Sequence, residues 1–287
     1  MKRRIFYLVF AIATGIILAG CGGGSGDSSS STGTISMNIT DAKPVLPVSD
    51  VESVSITFDE VSVHKSGGGW VALAAVHQPY IIDLYQFSDG TKTQFVPPVQ
   101  LESGKYTQVR IGVTSGTIRI NGVDHPLEIP SENLKTDKNF EFNVQGGGAV
   151  DLTVDFDLSQ SIVLTGSGTY QLKPVLHLNL TQEAATIQGS IKASTFGSSS
   201  QMIVIVMWDK DNNEALSAGD EVYTKIQVNK EGSGPTQFRI YWLVPDESYI
   251  VQIKFQETDP APVYQEAVDS TNLQAGAVFS LNGGNSI

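Results

Sequence analysis

Cysteine, basic residues and long apolar runs are all scarce in this chain of 287 residues. The single cysteine is Cys21, so no disulfide can form within the chain. Once its thiol is modified, as we predict below, thiolate metal sites and cysteine nucleophiles are excluded as well. The stability of the folded protein must therefore come from the burial of a core.

The longest apolar run covers the 14 residues from Ile5 to Leu18, whereas a membrane-spanning helix needs about 20. Lys2–Arg4 precede this run, and the small residues Ala19 and Gly20 close it directly before Cys21. A basic start, a short apolar stretch and small residues at the end are typical of a secretory signal peptide. With a cysteine at the cut, the segment resembles a bacterial lipobox.

The lipobox resemblance implies cleavage before Cys21 and attachment of acyl chains to its thiol. We therefore predict a signal peptide over residues 1–20 and an anchor at Cys21, held in the membrane by about 0.8 kcal/mol for each buried methylene. Gly22 stands where an aspartate would favour the inner membrane, so the resemblance indicates the outer membrane. The remainder of residues 21–33 is rich in glycine and serine, which predicts a flexible tether.

The scarcity of basic residues sets limits on the partners. Removal of residues 1–20 takes away three basic residues and no acidic one, which leaves 15 basic against 30 acidic residues. The resulting formal charge of −15 argues against nucleic acid or an anionic lipid surface, since both require basic patches. Divalent cations, basic proteins and neutral glycans remain compatible with this charge.

Helical periodicity is nearly missing, and strand patterns dominate the rest of the sequence. Apolar residues alternate with polar ones from Ile35 onward, and the pattern slips by one residue near Asp59-Glu60, which predicts a β-bulge. Asn121-Gly122 predicts a type I′ hairpin turn, and Pro174 predicts a strand edge or break. The run Met202–Trp208 is apolar throughout, which is typical of a strand buried on both faces.

These patterns predict an all-β protein with two β-sandwich-like domains in tandem. The first domain covers residues 34–181 and the second covers 186–287, with a short linker at 182–185. A weak internal echo places an apolar residue five positions before Tyr106 and again before Tyr249, which indicates two tight turns closed by a tyrosine.

The first domain resembles a bacterial lipoprotein family, the domain-of-unknown-function family 4382, over residues 33–181. The motifs that carry the resemblance are Asn38–Asp41, Val54–Phe58, Gly69–Leu73, Ile82–Leu84, Ser103–Arg110 and Val154–Asp157. The resemblance implies a β-rich surface-lipoprotein domain and brings no catalytic residues with it.

The second domain resembles transthyretin-like or B-type immunoglobulin-like modules of bacterial surface proteins, chiefly over Val206–Glu221. This segment offers oxygen ligands at positions 1, 3, 5, 7 and 12 of a twelve-residue loop, namely Asp209, Asp211, Asn213, Ala215 (through its carbonyl) and Asp220. Calcium takes six to eight hard oxygens, and this spacing wraps them around one ion. We therefore predict a structural calcium ion.

Two departures weaken the calcium prediction. Position 6, where glycine makes the sharp turn, is Glu214, and position 12 is the shorter Asp220 in place of a bidentate glutamate. The alternative is an acidic, solvated hairpin loop without an ion.

Other candidate constellations carry less chemistry. Asp151, Asp155 and Asp157 fall on one face of a predicted strand. Two such carboxylates can serve as the acid and base of glycoside hydrolysis, but a row of this kind more often marks the solvated face of a sheet. The four histidines lie at no metal-ligand spacing, and His64 and His177 read as surface strand residues. Three tryptophans and two tyrosines offer a glycan-stacking platform, with core packing as the alternative: Trp70, Trp208, Trp242, Tyr80 and Tyr85.

The sequence therefore predicts a non-catalytic, lipid-anchored cell-envelope protein that acts as a surface binding, scaffolding or adhesion module. We expect contact with the membrane through the lipid, and with a glycan or another surface protein through the fold. The alternative is a carbohydrate-binding lipoprotein that captures polysaccharide, and a third hypothesis is a periplasmic hydrolase.

Overall fold

The computed structural model describes residues 31–41, 45, 50–73, 79–87, 89–131, 133–136 and 140–287. Within these ranges the chain is almost entirely β-structure, which confirms the predicted all-β class. The strands of the first half are β1 Thr32–Thr40, β2 Val51–Lys65, β3 Trp70–Ala72, β4 Tyr80–Asp83, β5 Thr93–Glu102, β6 Gly104–Ile120, β7 Val123–Glu128, β8 Asn133–Lys135, β9 Phe142–Val144, β10 Ala149–Phe156, β11 Ile162–Leu164, β12 Tyr170–Leu172 and β13 Leu176–Leu180.

The second half holds seven described strands, and the described helices are all single turns. The strands are β14 Ala185–Ile191, β15 Gln201–Trp208, β16 Glu221–Asn229, β17 Thr236–Leu243, β18 Tyr249–Lys254, β19 Tyr264–Val268 and β20 Val278–Ser280. The helices are the 3-10 turns Leu84–Phe87 and Leu281–Gly284 and the α-helical turn α1, Leu158–Ser161. None of the described helices has the length and apolar character to cross a membrane.

The N-terminal half is a β-sandwich of two sheets. One sheet has the order β13-β10-β1-β5, with β1 parallel to β10, and the other is built around β2 and β6 with the order β11-β12-β7-β6-β2-β3. Strands β4, β8 and β9 also pair with β2 or β6. Both sheets contribute to one buried core, to which β1 gives Ile35, Met37 and Ile39. The alternation of apolar residues in the sequence is the cause, since every second side chain of a strand points to the same face.

The predicted irregularities of this half are confirmed. The register between β2 and β6 skips from Phe58 to Val61, which places the bulge at Asp59-Glu60. Asn121 and Gly122 both have positive φ angles, 49° and 75°, as a type I′ turn requires. The β-structure is interrupted around Pro174, between β12 and β13, and the two strands belong to different sheets.

The C-terminal half is a second sandwich, with a sheet β17-β14-β20 packed on a sheet β16-β15-β18-β19. Its core forms a separate cluster around Val204, Ile240 and Val251. In β15 the residues Ile203 and Ile205 are buried on the face opposite this cluster, so the strand is buried on both sides as predicted. Residues 31–287 nevertheless cluster as one compact unit, because the two sandwiches contact each other.

The two tyrosines of the sequence echo have equivalent roles in the two sandwiches. Tyr106 and Tyr249 are both fully buried. Their hydroxyls donate hydrogen bonds to carbonyls just upstream, at Glu102 (2.8 Å) and Val244 (3.2 Å) respectively. Each tyrosine therefore ties the start of a central strand to the turn before it.

Candidate functional site

The acidic loop between β15 and β16 is organised around a buried carboxylate. Asp209 is 2 % exposed, and its two oxygens accept hydrogen bonds from the backbone N–H groups of Asn213 (3.2 Å) and Glu214 (2.9 Å). Glu214 has a φ of 60°, the left-handed conformation that glycine would supply at this position of a calcium loop. The missing glycine therefore does not prevent the sharp turn, because a non-glycine residue adopts it here.

Three of the five predicted ligand residues come together in space. Carboxylate oxygens of Asp209, Asp211 and Asp220 lie within 4.8 Å of one another. Asp220 accepts hydrogen bonds from the backbone N–H groups of Lys210 (3.2 Å) and Ser217 (2.7 Å), so its oxygens are already held towards the loop. Calcium prefers such a set of oxygens, and its binding here stays a prediction.

Asn213 is bound into the loop itself. Its side-chain oxygen accepts a hydrogen bond from the N–H of Ala215 (2.7 Å), and its amide donates to Asp211 (2.8 Å). Coordination of an ion by Asn213 would therefore compete with the first of these bonds. The ammonium group of Lys210 pairs with Glu221 and lies 5.7 Å from the ring centroid of Trp208.

The carboxylate row of β10 is not a solvated face, so that expectation was wrong. Asp155 and Asp157 are 1 % and 0 % exposed, and Asp151 is partly buried. The reason is that the polar face of the sheet β13-β10-β1-β5 is covered by the C-terminal sandwich. Asp157 lies beyond the strand and caps α1, accepting hydrogen bonds from the backbone and side chain of Gln160 and from the Ser159 hydroxyl.

The covering residues and the polar face form what we call the seam, made of Lys92, Asp151, Asp155, Gln160, His177, Asn179, Tyr223, Tyr241 and Trp242. The carbonyl of Tyr223 accepts hydrogen bonds from Gln160 (2.7 Å) and from Nε2 of His177 (2.9 Å). The imidazole of His177 also stacks on the Tyr223 ring, with centroids 4.0 Å apart. His177 is therefore a contact residue between the sandwiches, and its interpretation as a surface strand residue was wrong.

Trp242 holds the opposite side of the seam in a strained conformation. Its φ is 62°, which is rare for a bulky residue, and it lies where the register of β14 and β17 shifts. This bulge presents the carbonyl of Trp242 to two donors, the Asn179 amide (2.7 Å) and the Tyr223 hydroxyl (3.2 Å). The indole N–H of Trp242 is buried and has no hydrogen-bond partner among the described residues. The backbone strain is thus linked to a contact between the two sandwiches.

A loop of the N-terminal sandwich completes the seam. Gly90 has a φ of 73°, and a Cβ atom at this position would lie 2.7 Å from ring atoms of Tyr241. Lys92 follows, with its ammonium group 5.5 Å from the centroid of the Trp242 ring and 3.7 Å from a carboxylate oxygen of Asp151. Glycine is therefore required at position 90, both for its backbone conformation and for its close approach to the ring.

The tyrosines of the C-terminal core are shielded from ionisation. Burial raises the pKa of Tyr223 well above its usual value, and the negative charges of nearby Asp155 and Asp157 act in the same direction. Burial likewise raises the pKa of Tyr249, with Glu247 adding to the effect. Both phenols therefore remain neutral hydrogen-bond donors over the physiological pH range.

Each of the three tryptophan rings has a cationic side chain close to it. Arg110, Lys210 and Lys92 lie over the rings of Trp70, Trp208 and Trp242, at 4.6, 5.7 and 5.5 Å from the centroids. These cation–π contacts occupy ring surface that a sugar would need. The two tyrosines lie apart from these contacts, with Tyr80 44 % exposed on β4 and Tyr85 packed against the N-terminal core.

Solved structures that this chain is similar to include a putative adhesin and a fimbrial anchor protein, and the similarity is slight. A putative adhesin from Bacteroides ovatus is 9 % identical, with 89 % of this chain and 91 % of that chain covered and a TM-score of 0.22. The fimbrial anchor protein Mfa2 from Porphyromonas gingivalis is 7 % identical, with 84 % of each chain covered and a TM-score of 0.20.

The Bacillus anthracis TIE protein is 10 % identical over 87 % of this chain, with a TM-score of 0.20, and the match spans only 33 % of that longer protein. Scores at this level carry no argument about function. No curated protein matches the sequence.

A family model matches the first sandwich. The model is described as "Domain of unknown function (DUF4382)", and it covers residues 32–174, from the start of β1 to the break before β13. The match agrees with the motifs from Asn38–Asp41 to Val154–Asp157, all of which lie inside it. Residues 32–174 of this protein therefore belong to the DUF4382 family of domains.

Proposed function

We propose that this protein is a non-catalytic, lipid-anchored component of the bacterial cell envelope that presents a rigid two-sandwich body as a surface binding or scaffolding module. The observation that carries the proposal is the seam, where polar side chains of the first sandwich are buried against the second. Such contacts keep two bodies at a fixed orientation, which a scaffold needs and a flexible linker does not provide.

The chemistry of the seam supports this reading over catalysis. The carboxylates that resembled a glycosidase pair have structural partners. Asp157 caps α1, and Asp151 accepts hydrogen bonds from Ser36 (2.7 Å) and Asn38 (3.0 Å). A general acid or base must reach its substrate, but Asp155 and Asp157 are covered by the second sandwich. We therefore do not propose the hydrolase.

The position of the anchor gives the body limited freedom above the membrane. Acyl chains on Cys21 would hold the N-terminus, and the glycine- and serine-rich residues 22–31 would separate it from β1, which begins at Thr32 and so includes the last two residues of the predicted tether. A flexible chain of this length has a root-mean-square span of about 20 Å. The body would thus stay near the membrane while rotating freely, which suits the capture of a partner or matrix at the cell surface.

Metabolic labelling with a clickable palmitate analogue tests the anchor directly. We expect label on the native protein and none on the Cys21→Ser variant, which should leave the membrane fraction. A Gly22→Asp variant is the matched control, since it should keep the label while moving from the outer to the inner membrane. Equal labelling of the native and Cys21→Ser proteins, or no labelling of either, would refute the proposal.

A further inference from the structure

Two hollows adjoin β17 at the edge of the C-terminal sandwich. The first, of about 400 Å³, opens between the edge strands β16 and β17 and is lined by the polar residues Asp89, Gln227, Asn229, Glu231, Arg239 and Tyr241. The second, of about 300 Å³, lies on the other side of β17 and is lined by the polar residues Gln188, Ser190, Gln237, Ser280 and Asn285. Both volumes fall in the range of small-molecule sites.

The two hollows form one continuous surface, because they share three residues of β17. Gln237 and Arg239 are exposed and stand on the ridge between the hollows, while Phe238 lies beneath them. Ile226 and Val228 add to the apolar floor of the first hollow. A ligand that fills both hollows therefore passes over the ridge and meets polar groups on each side.

The polar groups are predominantly amides and hydroxyls, which donate and accept hydrogen bonds equally well. The charged groups are Asp89, Glu231 and Arg239, so the lining has a net formal charge of −1. An anionic ligand is disfavoured by this charge and by the charge of −12 on the whole chain. Paired donors and acceptors above an apolar floor match the hydroxyl edges and C–H faces of a neutral sugar.

We propose that these two hollows bind a neutral oligosaccharide that crosses β17, with Gln237 and Arg239 as its central contacts. This inference deepens the proposed surface-binding function by naming its ligand class. The sugar would be held by β-sheet side chains, and not by the tryptophans, whose rings are paired with cations.

The direction of the surface favours a saccharide over an extended peptide. A peptide that adds to a sheet lies along the edge strand, in the parallel or antiparallel sense, and pairs with its backbone. The edge of β17 is interrupted by the bulge at Tyr241-Trp242, and the hollows lie on opposite sides of the strand. A ligand that occupies both must cross the strand, so strand pairing cannot account for the site.

The N-terminal sandwich completes the site through a single close contact. Gly90 packs on the ring of Tyr241, and this contact brings the neighbouring Asp89 to the rim of the first hollow. The seam therefore has a second consequence, because it brings Asp89 of the N-terminal sandwich to a pocket of the C-terminal sandwich, where its carboxylate can accept hydrogen bonds from the sugar. Removal of the Asp89 carboxylate should weaken binding without disturbing the exposed Arg239.

Saturation-transfer difference NMR on the full-length protein in detergent micelles tests the proposal. The probes are the neutral tetrasaccharides of cellulose, xylan, mannan and starch, with tetragalacturonate as the anionic control and tetra-alanine as the peptide control. We expect transfer to at least one neutral tetrasaccharide. Arg239→Met and Gln237→Ala should each weaken that binding about tenfold or more, since both remove hydrogen bonds to the ligand.

Arg119→Met is the matched control, because Arg119 is a partly exposed arginine of the first sandwich that pairs with Glu52 and Asp124. Asp89→Ala should weaken binding as well, whereas Asp124→Ala should not. The proposal is overturned if the native protein binds none of the neutral probes, if tetragalacturonate or tetra-alanine binds in preference, or if the Arg239 and Gln237 variants bind as Arg119→Met does. Such a failure leaves the lipid-anchor test unaffected, since that test reads labelling at Cys21.

Discussion

Substitution of Gly90 by alanine tests whether the two sandwiches are held together by the seam. The change adds one methyl group at a backbone φ of 73° and places it 2.7 Å from three ring atoms of Tyr241. Real Cβ atoms do not approach other atoms so closely, so either the loop or the tyrosine must shift. The chain offers a matched control in Gly67, whose φ is 72° and whose Cβ would meet nothing within 4 Å.

The expected losses of stability differ because both substitutions strain the backbone, whereas only the substitution at position 90 also overpacks its surroundings. An alanine in the left-handed conformation loses about 1 kcal/mol relative to glycine, and both variants bear this cost. Overpacking adds about 1–3 kcal/mol at position 90 alone. For a protein of this size about 1 kcal/mol corresponds to 2–4 °C in the melting temperature. We expect a loss of about 2–4 °C for Gly67→Ala and about 4–16 °C for Gly90→Ala.

Differential scanning calorimetry measures both the loss and its distribution between the sandwiches. If the seam couples the two cores, the native protein melts in one transition and Gly90→Ala separates it into two. Removal of the ring in a Tyr241→Ala background should abolish the extra cost, which a double-mutant cycle will report as a coupling energy. Equal losses for Gly90→Ala and Gly67→Ala, with the Tyr241 background making no difference, would refute the role we assign to the seam.

Three further predictions concern other parts of the fold. Addition of calcium should raise the melting temperature of the full-length protein relative to its value in EDTA, and Asp211→Asn should remove this difference. If calorimetric titration with calcium gives no heat and the melting temperature is unchanged, the calcium prediction is wrong. Tyr106→Phe should cost about 1 kcal/mol in the free energy of unfolding by urea, because the hydrogen bond from the buried Tyr106 side chain to the Glu102 carbonyl is lost. A neutral effect would contradict this account. Hydrogen bonds from the Thr271 hydroxyl and from backbone N–H groups lower the pKa of Asp269 below its usual 3.8, so its stabilising contribution is present above that pH and is lost as the pH falls through the lower, folded-state pKa. Carboxyl-carbon NMR should therefore give Asp269 a titration midpoint below 3.8, and a midpoint above it would be contrary evidence.

Local patterns in the sequence predicted the strands and several of their irregularities, because these depend on neighbours along the chain. The alternation in β1 and β2 reports which face is buried, and the slip at Asp59-Glu60 marks the bulge. Asn121-Gly122 determines its own turn, since the two residues tolerate positive φ. The twelve-residue spacing likewise brought Asp209, Asp211 and Asp220 together, because all three lie in one loop.

The same patterns failed where a second sandwich covers the first. The polar row of β10 indicates a solvated face by every local rule, yet Asp155 is buried because Tyr223 and Trp242 of the other sandwich close over the sheet. The importance of Gly90 could not be read from the sequence either, since it depends on a ring 151 positions later in the chain.

The sequence by itself was sufficient to predict the lipid anchor, the β-rich class and the position of the acidic loop, since each depends on residues close together in the chain. Tertiary structure alone decided which polar face is buried, why Trp242 adopts a left-handed conformation, and where the two hollows meet across β17. The physical reason is that burial is a property of the surface that packs against a strand. A strand pattern distinguishes its two faces, but it does not tell whether water or another sheet covers the polar one.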